Sequence, residues 1–182
     1  MDYYIKEVTK DEAYDYLYVN THSWDETYRG LIPDEFIDKI LNELDKNVER
    51  LRNKYINNEV NIDEDKRFIL YLDNEPVGMF SVCKARDEDY LNAGELASLY
   101  LLKKAQKKGL GKVMVEYAIE ELRKMGYSDM IIGCLKGNPT NEFYKHMGGK
   151  LVKTTIRNIH GNDLDENVYY LNILKFDNTY NK

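Results

Sequence analysis

The stretch LYLLKKAQKKGLGKVMVEYAIEELRKM, Leu99 to Met125, decides the fold of this chain. Its first four residues are apolar, as at the end of a buried strand. Lys103, Lys104, Lys107, Lys108 and Lys112 then surround Gly109 and Gly111. A helical period starts at Leu110, with Val113, Met114, Tyr117, Ala118, Leu122 and Met125 on one side. Strand, basic glycine turn and helix thus follow one another. A helix start offers N–H groups without intrahelical partners and the positive end of the helix dipole, so a phosphate or pyrophosphate can be held there between backbone donors and lysines. A tight turn with solvated lysines accounts for the same residues, and both meanings stay open on this stretch alone.

The familiar phosphate motifs do not fit. A P-loop needs G-x-x-x-x-G-K-[S/T], but Gly111-Lys112 is followed by Val113, and position 106 is Gln. A dinucleotide fingerprint needs G-x-G-x-x-G, and Met114 stands at its third glycine. What remains is Q-K-K-G-L-G, residues 106–111, directly after a strand.

A chain of 182 residues is expected to form one domain with a substantial core. Its net charge of -6 argues against nucleic acid as a partner. Within that acidic balance, no Asp or Glu lies between Tyr100 and Val115, so the lysine turn is the part most able to attract an anion. The two cysteines, Cys83 and Cys134, sit in apolar runs without a C-x-x-C pattern, which suggests a reducing, cytoplasmic setting. His22, His146 and His160 have no ligand-like spacing, so no metal is expected. With neither a basic leader before an apolar segment nor an 18-residue apolar run, no membrane partner is expected.

Outward from the central stretch, alternation predicts a first strand over 3–8, and apolar spacing predicts a short helix over 11–19. Residues 20–33 break the period and read as a loop. Trp24, Tyr28 and Arg29 there serve either as a pocket wall or as aromatics packed over the core beside solvated groups. One amphipathic helix runs from Pro33 to about Asn57. Strands over 68–72 and 76–84 form a hairpin through Asp73-Asn74-Glu75, and Gly78 marks a bulge or a close backbone approach. A polar loop over 86–92 leads to a strand over 93–102 that carries Glu95.

After the helix over 109–124, a strand over 130–135 is expected to lie parallel to its predecessor, because a helix connects them. A short helix over 140–147 is closed by Gly148-Gly149. Strands over 150–159 and 168–176 then pair across a turn at 160–163. The order βααβββαβαββ describes an α/β (α+β) fold with a mixed sheet, helices on its faces and one parallel crossover. A crevice opens where parallel strands diverge, outside their carboxyl ends.

The chain resembles the GNAT superfamily of acyl-CoA-dependent N-acyltransferases over essentially its whole length. The central family motif, Gln or Arg, two residues, Gly, one residue, Gly or Ala, matches Gln106, Gly109 and Gly111, just after a strand end at Tyr100, Leu101 and Leu102. A second signature matches Asn138, Pro139, Phe143, Tyr144, Gly148 and Gly149, and WDETYRGLIPDEFIDKI looks like the helix-loop-helix lid of many bacterial members.

This resemblance implies a mostly antiparallel central sheet with a splayed parallel pair, and acetyl-CoA as cosubstrate. The pyrophosphate would meet the backbone of Gln106, Lys107, Lys108, Gly109, Leu110, Gly111 and Lys112, with Lys103 and Lys104 as nearby counter-charges. Lys107 stands where many members have glycine. The pantetheine arm would run along Tyr100 to Leu102, and Asn138 would hold its amides or tie the strand end to the helix. The N–H of Leu101 or Leu102 would face the thioester oxygen.

The reaction implied is direct attack of a primary amine of a small molecule or peptide, with Glu95 as base and Tyr144 as acid toward the leaving thiolate. Trp24, Tyr28, Arg29, Tyr90 and His160 are the candidate acceptor residues. A non-catalytic acyl-CoA sensor or regulatory domain would keep the basic turn without needing Tyr144 or Glu95. Homodimerisation through the terminal strands or the aromatic surface stays open.

Overall fold

The computed structural model describes residues 1–62, 64–159 and 161–176. In chain order the elements are β1 (Tyr3–Glu7), α1 (Ala13–Tyr28), α2 (Asp34–Asn42), α3 (Leu44–Ile56), β2 (Asp65–Leu72), β3 (Glu75–Lys84), β4 (Gly94–Leu101), α4 (Leu110–Lys124), β5 (Asp129–Leu135), α5 (Thr140–His146), β6 (Lys150–Ile159) and β7 (Asn162–Asn172). The strands are hydrogen-bonded in the order β1-β2-β3-β4-β5-β7-β6. β4 and β5 are parallel, as expected for two strands joined through a helix. β1–β2, β5–β7 and β6–β7 are antiparallel.

Contacts gather the chain into two compact units, Met1–Ser81 with Ser98–Met114, and Val82–Ala97 with the described residues from Val115 onward. In the first unit, Val8, Tyr16, Val19, Ile69, Tyr71, Met79 and Leu102 form a buried cluster, with Leu51 and Tyr55 packed against it. The hairpin at its edge turns on Asp73 and Asn74, at φ 51° and 67°. Two left-handed residues in succession give the turn whose twist suits a two-residue hairpin. Gly78 on β3 leaves room for side chains, not for the close backbone expected as one alternative, since a Cβ there would stand 3.0 Å from Met114 Sδ and 3.1 Å from Leu101 Cδ1. In the second unit, Ala85, Ala93, Ile131 and Val168 are buried together, joined by Tyr90 and Val152. A fully buried Leu or Ile in such clusters contributes on the order of 2 kcal/mol by leaving water.

Three expectations are corrected. Residues 20–28 are helical, so Trp24 and Tyr28 stand on α1 and only Arg29 follows its end. The apolar period failed there because the buried side of α1 uses Thr21 and Ser23, polar residues that count against a core face when read by hydropathy. The long helix from Pro33 is two helices, α2 and α3, separated at Glu43, where φ is -96° and ψ 10°. The element order is therefore βαααβββαβαββ. Finally, β7 begins at Asn162 and ends at Asn172, not over 168–176. Its first part, NDLDENV, is mostly polar, so charge masked a strand in which each of these residues is paired with β6.

Among the described residues, no helix is long and apolar enough to cross a membrane, and no group of three or more His, Cys, Asp or Glu is gathered as a metal cluster would require.

Candidate active site

The basic turn is a shaped backbone. Lys107 has φ 60° and Gly109 φ 81°, while Lys108 between them is not left-handed. Alternation of hand at successive residues turns neighbouring N–H groups toward one concave side, a form that suits anions. α4 begins immediately afterwards, at Leu110, and its first turn closes with the Val113 N–H on the Gly109 carbonyl at 3.3 Å. The Leu110 and Gly111 amides precede that bond, at the positive end of a fifteen-residue helix. Leu110 is fully buried, which anchors the helix start.

Gln106 gives the turn its position. Its side-chain amide donates to the Leu101 carbonyl at 2.8 Å, tying the start of the turn to the last residue of β4. The short 3-10 turn between them, Lys103–Ala105, buries Ala105 completely. Lys104 is paired with Glu75 at 2.6 Å, both exposed, a pair too solvated to hold it firmly. The Lys103 N–H donates to Glu26 on α1 at 2.7 Å. Neither acidic partner was visible from the turn's own sequence, because both are remote along the chain.

On β4, the paired register with β5 covers Gly94↔Met130, Glu95↔Ile131 and Leu96↔Ile132 and goes no further, although the strands continue to Leu101 and Leu135. The strand beyond Leu96 carries Tyr100 and Leu101. Leu102 donates its N–H to the Val77 carbonyl at 2.9 Å. That bond commits the Leu102 amide to β3, so of the two amides considered for the thioester oxygen only Leu101 stays a candidate.

Tyr100 belongs to an aromatic group with Trp24 and Tyr28 of α1, ring centroids 6.3 Å away in each case. Trp24 also meets Tyr28 at 5.0 Å and Phe36 of α2 at 5.9 Å. The Trp24 indole nitrogen is buried and has no hydrogen-bond partner among the described residues. Arg29 is used locally. It holds Asp25 and Asp38, both at 2.7 Å, and approaches Asp34 at 3.8 Å, so its guanidinium staples the end of α1 to α2.

The second unit carries the other candidates. Glu95 receives three N–H groups of one residue that the sequence had not singled out: Arg86 Nη2 at 2.7 Å on Oε1, and Arg86 Nε at 3.2 Å and backbone N at 3.1 Å on Oε2. This fork fixes the direction of the carboxylate. Tyr90 lies tilted by 36° against Tyr170, with ring centroids 6.1 Å apart, and sits under Lys153, whose ammonium is 5.8 Å from the ring centre. His160 lies outside the described residues.

Asn138 ties the strand end to the helix, one of its two expected roles. Its side chain accepts the Thr140 N–H at 2.9 Å at the start of α5, and its own N–H reaches the Leu135 carbonyl at 3.0 Å. Asn141, unnoticed in the sequence, is the hub of this corner. It donates to the Leu135 and Asn138 carbonyls at 2.9 and 2.7 Å and accepts from Asn167 at 3.0 Å and Tyr169 at 2.8 Å. Three residues on, Tyr144 is buried against Phe143 and Tyr169, with centroids 5.5 and 6.1 Å away. Gly149 must be glycine, since a Cβ there would stand 2.8 Å from the Tyr144 carbonyl oxygen, which accepts the Gly149 N–H at 2.9 Å.

With this geometry in place, residues 24–148 match the acetyltransferase (GNAT) family. The chain is 24% identical to the uncharacterized N-acetyltransferase YuaI of Bacillus subtilis over 144 residues, 78% of this chain and 76% of that protein. Its fold is similar to the crystal structure of the PaiA N-acetyltransferase of Thermoplasma acidophilum in complex with coenzyme A, with a TM-score of 0.66 and 20% identity, covering 92% of this chain and 98% of that one. It is also similar to YncA of Salmonella typhimurium, a putative acetyltransferase solved with acetyl-CoA, at TM-score 0.63 and 15% identity over 94% of both chains.

Proposed function

The chain belongs to the GNAT acetyltransferase family, and from that premise we propose that it moves the acetyl group of acetyl-CoA onto a primary amine of a small molecule or peptide by direct attack, all 182 residues acting as one catalytic domain. The observation that carries this reading is the turn at 106–111, where alternating backbone hand, a long helix start and a glutamine tether coincide. Backbone N–H groups there bind the pyrophosphate of the cosubstrate, with Lys107 and Lys108 adding charge. The pantetheine arm takes strand-like hydrogen bonds from Tyr100 and Leu101, and the Leu101 N–H receives the negative charge that develops on the thioester oxygen.

The amine nitrogen forms its bond to the carbonyl carbon as the carbon–sulfur bond breaks. Tyr144 donates its phenolic proton to the departing thiolate, and Glu95, oriented by Arg86, takes the amine's proton through water. Trp24, Tyr28 and Tyr90 border the acceptor, and Asn138 adds contacts to the cosubstrate arm.

A screen of acetyl-CoA with polyamines, aminoglycosides, amino acids and short peptides, following thiol release, tests the reading. Turnover of at least one amine is expected, together with CoA binding by titration calorimetry. Binding without any turnover would make the chain an acyl-CoA sensor, and no binding at micromolar protein would overturn both.

A further inference from the structure

Gly133 stands on β5, a strand with β4 on one side and β7 on the other, yet it is exposed. Exposure in an inner strand means that no element covers the sheet face at that residue. The neighbours Ile132 and Cys134 point to the opposite face and are buried. Gly133 is also the first β5 residue past the last parallel pair, Leu96↔Ile132. The uncovered spot therefore lies where β4 and β5 part.

One side chain enters this space. A Cβ at position 133 would stand 2.7 Å from Glu166 Oε1, 2.8 Å from its carboxyl carbon and 3.1 Å from Oε2. The Glu166 carboxylate, from β7, thus occupies the volume that any other residue at 133 would fill. Glu95 lies on the same face, directly opposite Ile131 in the register. The two carboxylates are held differently. Arg86 supplies both oxygens of Glu95, whereas Glu166 receives one donor, Arg157 Nη1 on Oε1 at 2.6 Å, and its Oε2 has no hydrogen-bond partner among the described residues. The Glu166 side chain is only 13% exposed. A carboxylate so withdrawn from water, with one oxygen unserved, is completed by a compact cation carrying several N–H donors. Its charge also reaches the sheet's other face, where burial first and Glu166 second push the Cys134 thiol up to about 12.

We propose that Glu166 is the docking carboxylate for the acceptor, binding a primary amine in its ammonium form at the opening of β4 and β5, with Gly133 kept small to admit both. The assignment rests on the acetyl-transfer reading above. It makes Glu166 a specificity residue for cationic amines and leaves proton removal to the groups named there.

The test uses the full chain and the fastest amine from the screen. Glu166→Gln is expected to raise the KM for that amine about tenfold or more, with kcat and the CoA dissociation constant within about threefold of the wild type. Gly133→Ala, which keeps the carboxylate but displaces it, is expected to shift KM in the same direction. The guanidino analogue of the same amine, a cation that keeps its N–H donors but is a poor nucleophile, is expected to compete with the amine and to lose about tenfold in potency on Glu166→Gln. An unchanged amine KM in both variants overturns the proposal. So does a fall in kcat at constant KM, which would make Glu166 a proton acceptor instead. A wild type that turns over no amine fails the acetyl-transfer reading itself, and wild-type turnover with unaltered variants fails only the role of Glu166.

Discussion

Gln106 Nε2 donates to the Leu101 carbonyl at 2.8 Å, so the first residue of the basic turn is hydrogen-bonded to the last residue of β4. The bond couples the two features on which cosubstrate binding is proposed to depend, the strand edge and the phosphate turn. A net hydrogen bond of this kind is worth about 1 kcal/mol. Gln106→Leu is therefore expected to weaken CoA binding about fivefold in calorimetry. Gln106→Arg, which still carries a donor fork, is expected to recover most of that loss.

Lys107 holds φ 60°, in a region that costs a residue with a side chain about 1 kcal/mol or more. Lys107→Gly removes that strain, and Lys107→Val aggravates it because a branched Cβ tolerates positive φ least. The two substitutions remove the same charge, so both are expected to weaken CoA binding and to flatten its salt dependence. Their stabilities are expected to part, with the glycine variant unfolding at higher urea than the valine variant by about 1–2 kcal/mol.

The same residues show what the sequence could and could not reveal. The turn was legible because glutamine, lysines and two glycines lie within six positions, and the positive φ at Gly109 is one that glycine adopts freely, whereas that at Lys107 runs against local sterics. The parallel pair was legible because a helix must separate parallel neighbours. α1 was read too short because Thr21 and Ser23 are buried, and burial of small hydroxyls leaves no hydropathy signal. Arg86 reads as a polar loop residue and Glu166 falls between the expected turn and the expected last strand, and neither stands out because its partner is nine positions away. Pairing across strands depends on register, which β7's misplaced start had shifted out of view.

Tyr144 is 4% exposed and flanked by two aromatic rings, a setting that holds its phenol in one direction. Acid catalysis by a positioned group contributes about 100-fold or more. Tyr144→Phe, which preserves the ring packing, is expected to lower kcat by about that factor while the CoA dissociation constant stays within about threefold. A variant that retains full turnover would remove Tyr144 from the proton path.

Asn141 serves four partners at once in a buried corner. Asn141→Ala removes the acceptor of the Tyr169 hydroxyl and one of the two donors of each of the Leu135 and Asn138 carbonyls, each loss worth about 1 kcal/mol. A loss of about 3 kcal/mol in urea unfolding is expected. Asn141→Asp should be no better, since a carboxylate can accept from Asn167 and Tyr169 but cannot donate to the two carbonyls.

Lys153 on β6 gathers Asp87 at 2.7 Å and Asp89 at 2.6 Å, pinning the loop that carries Tyr90. Burial acts to raise the Asp87 carboxyl, but the hydrogen bonds from Lys153 and the Asp89 N–H outweigh it and hold Asp87 below its ordinary range. Lys153 is raised in turn by its hydrogen bonds to Asp87 and then Asp89. A depressed carboxyl binds its proton more weakly in the folded than in the unfolded chain. Its contribution to stability is therefore complete above the unfolded value, near pH 4, and is lost as pH falls through the folded one. Lys153→Met should remove the share of that dependence that Lys153 supplies and leave the share of the Asp89 N–H. Wild type and variant are expected to differ in unfolding free energy by a constant amount between pH 5 and 8 and to converge below about pH 4, read by urea denaturation across that range. A difference that persists undiminished at about pH 2 would show that Lys153 acts through packing on Tyr90 rather than through its carboxylates.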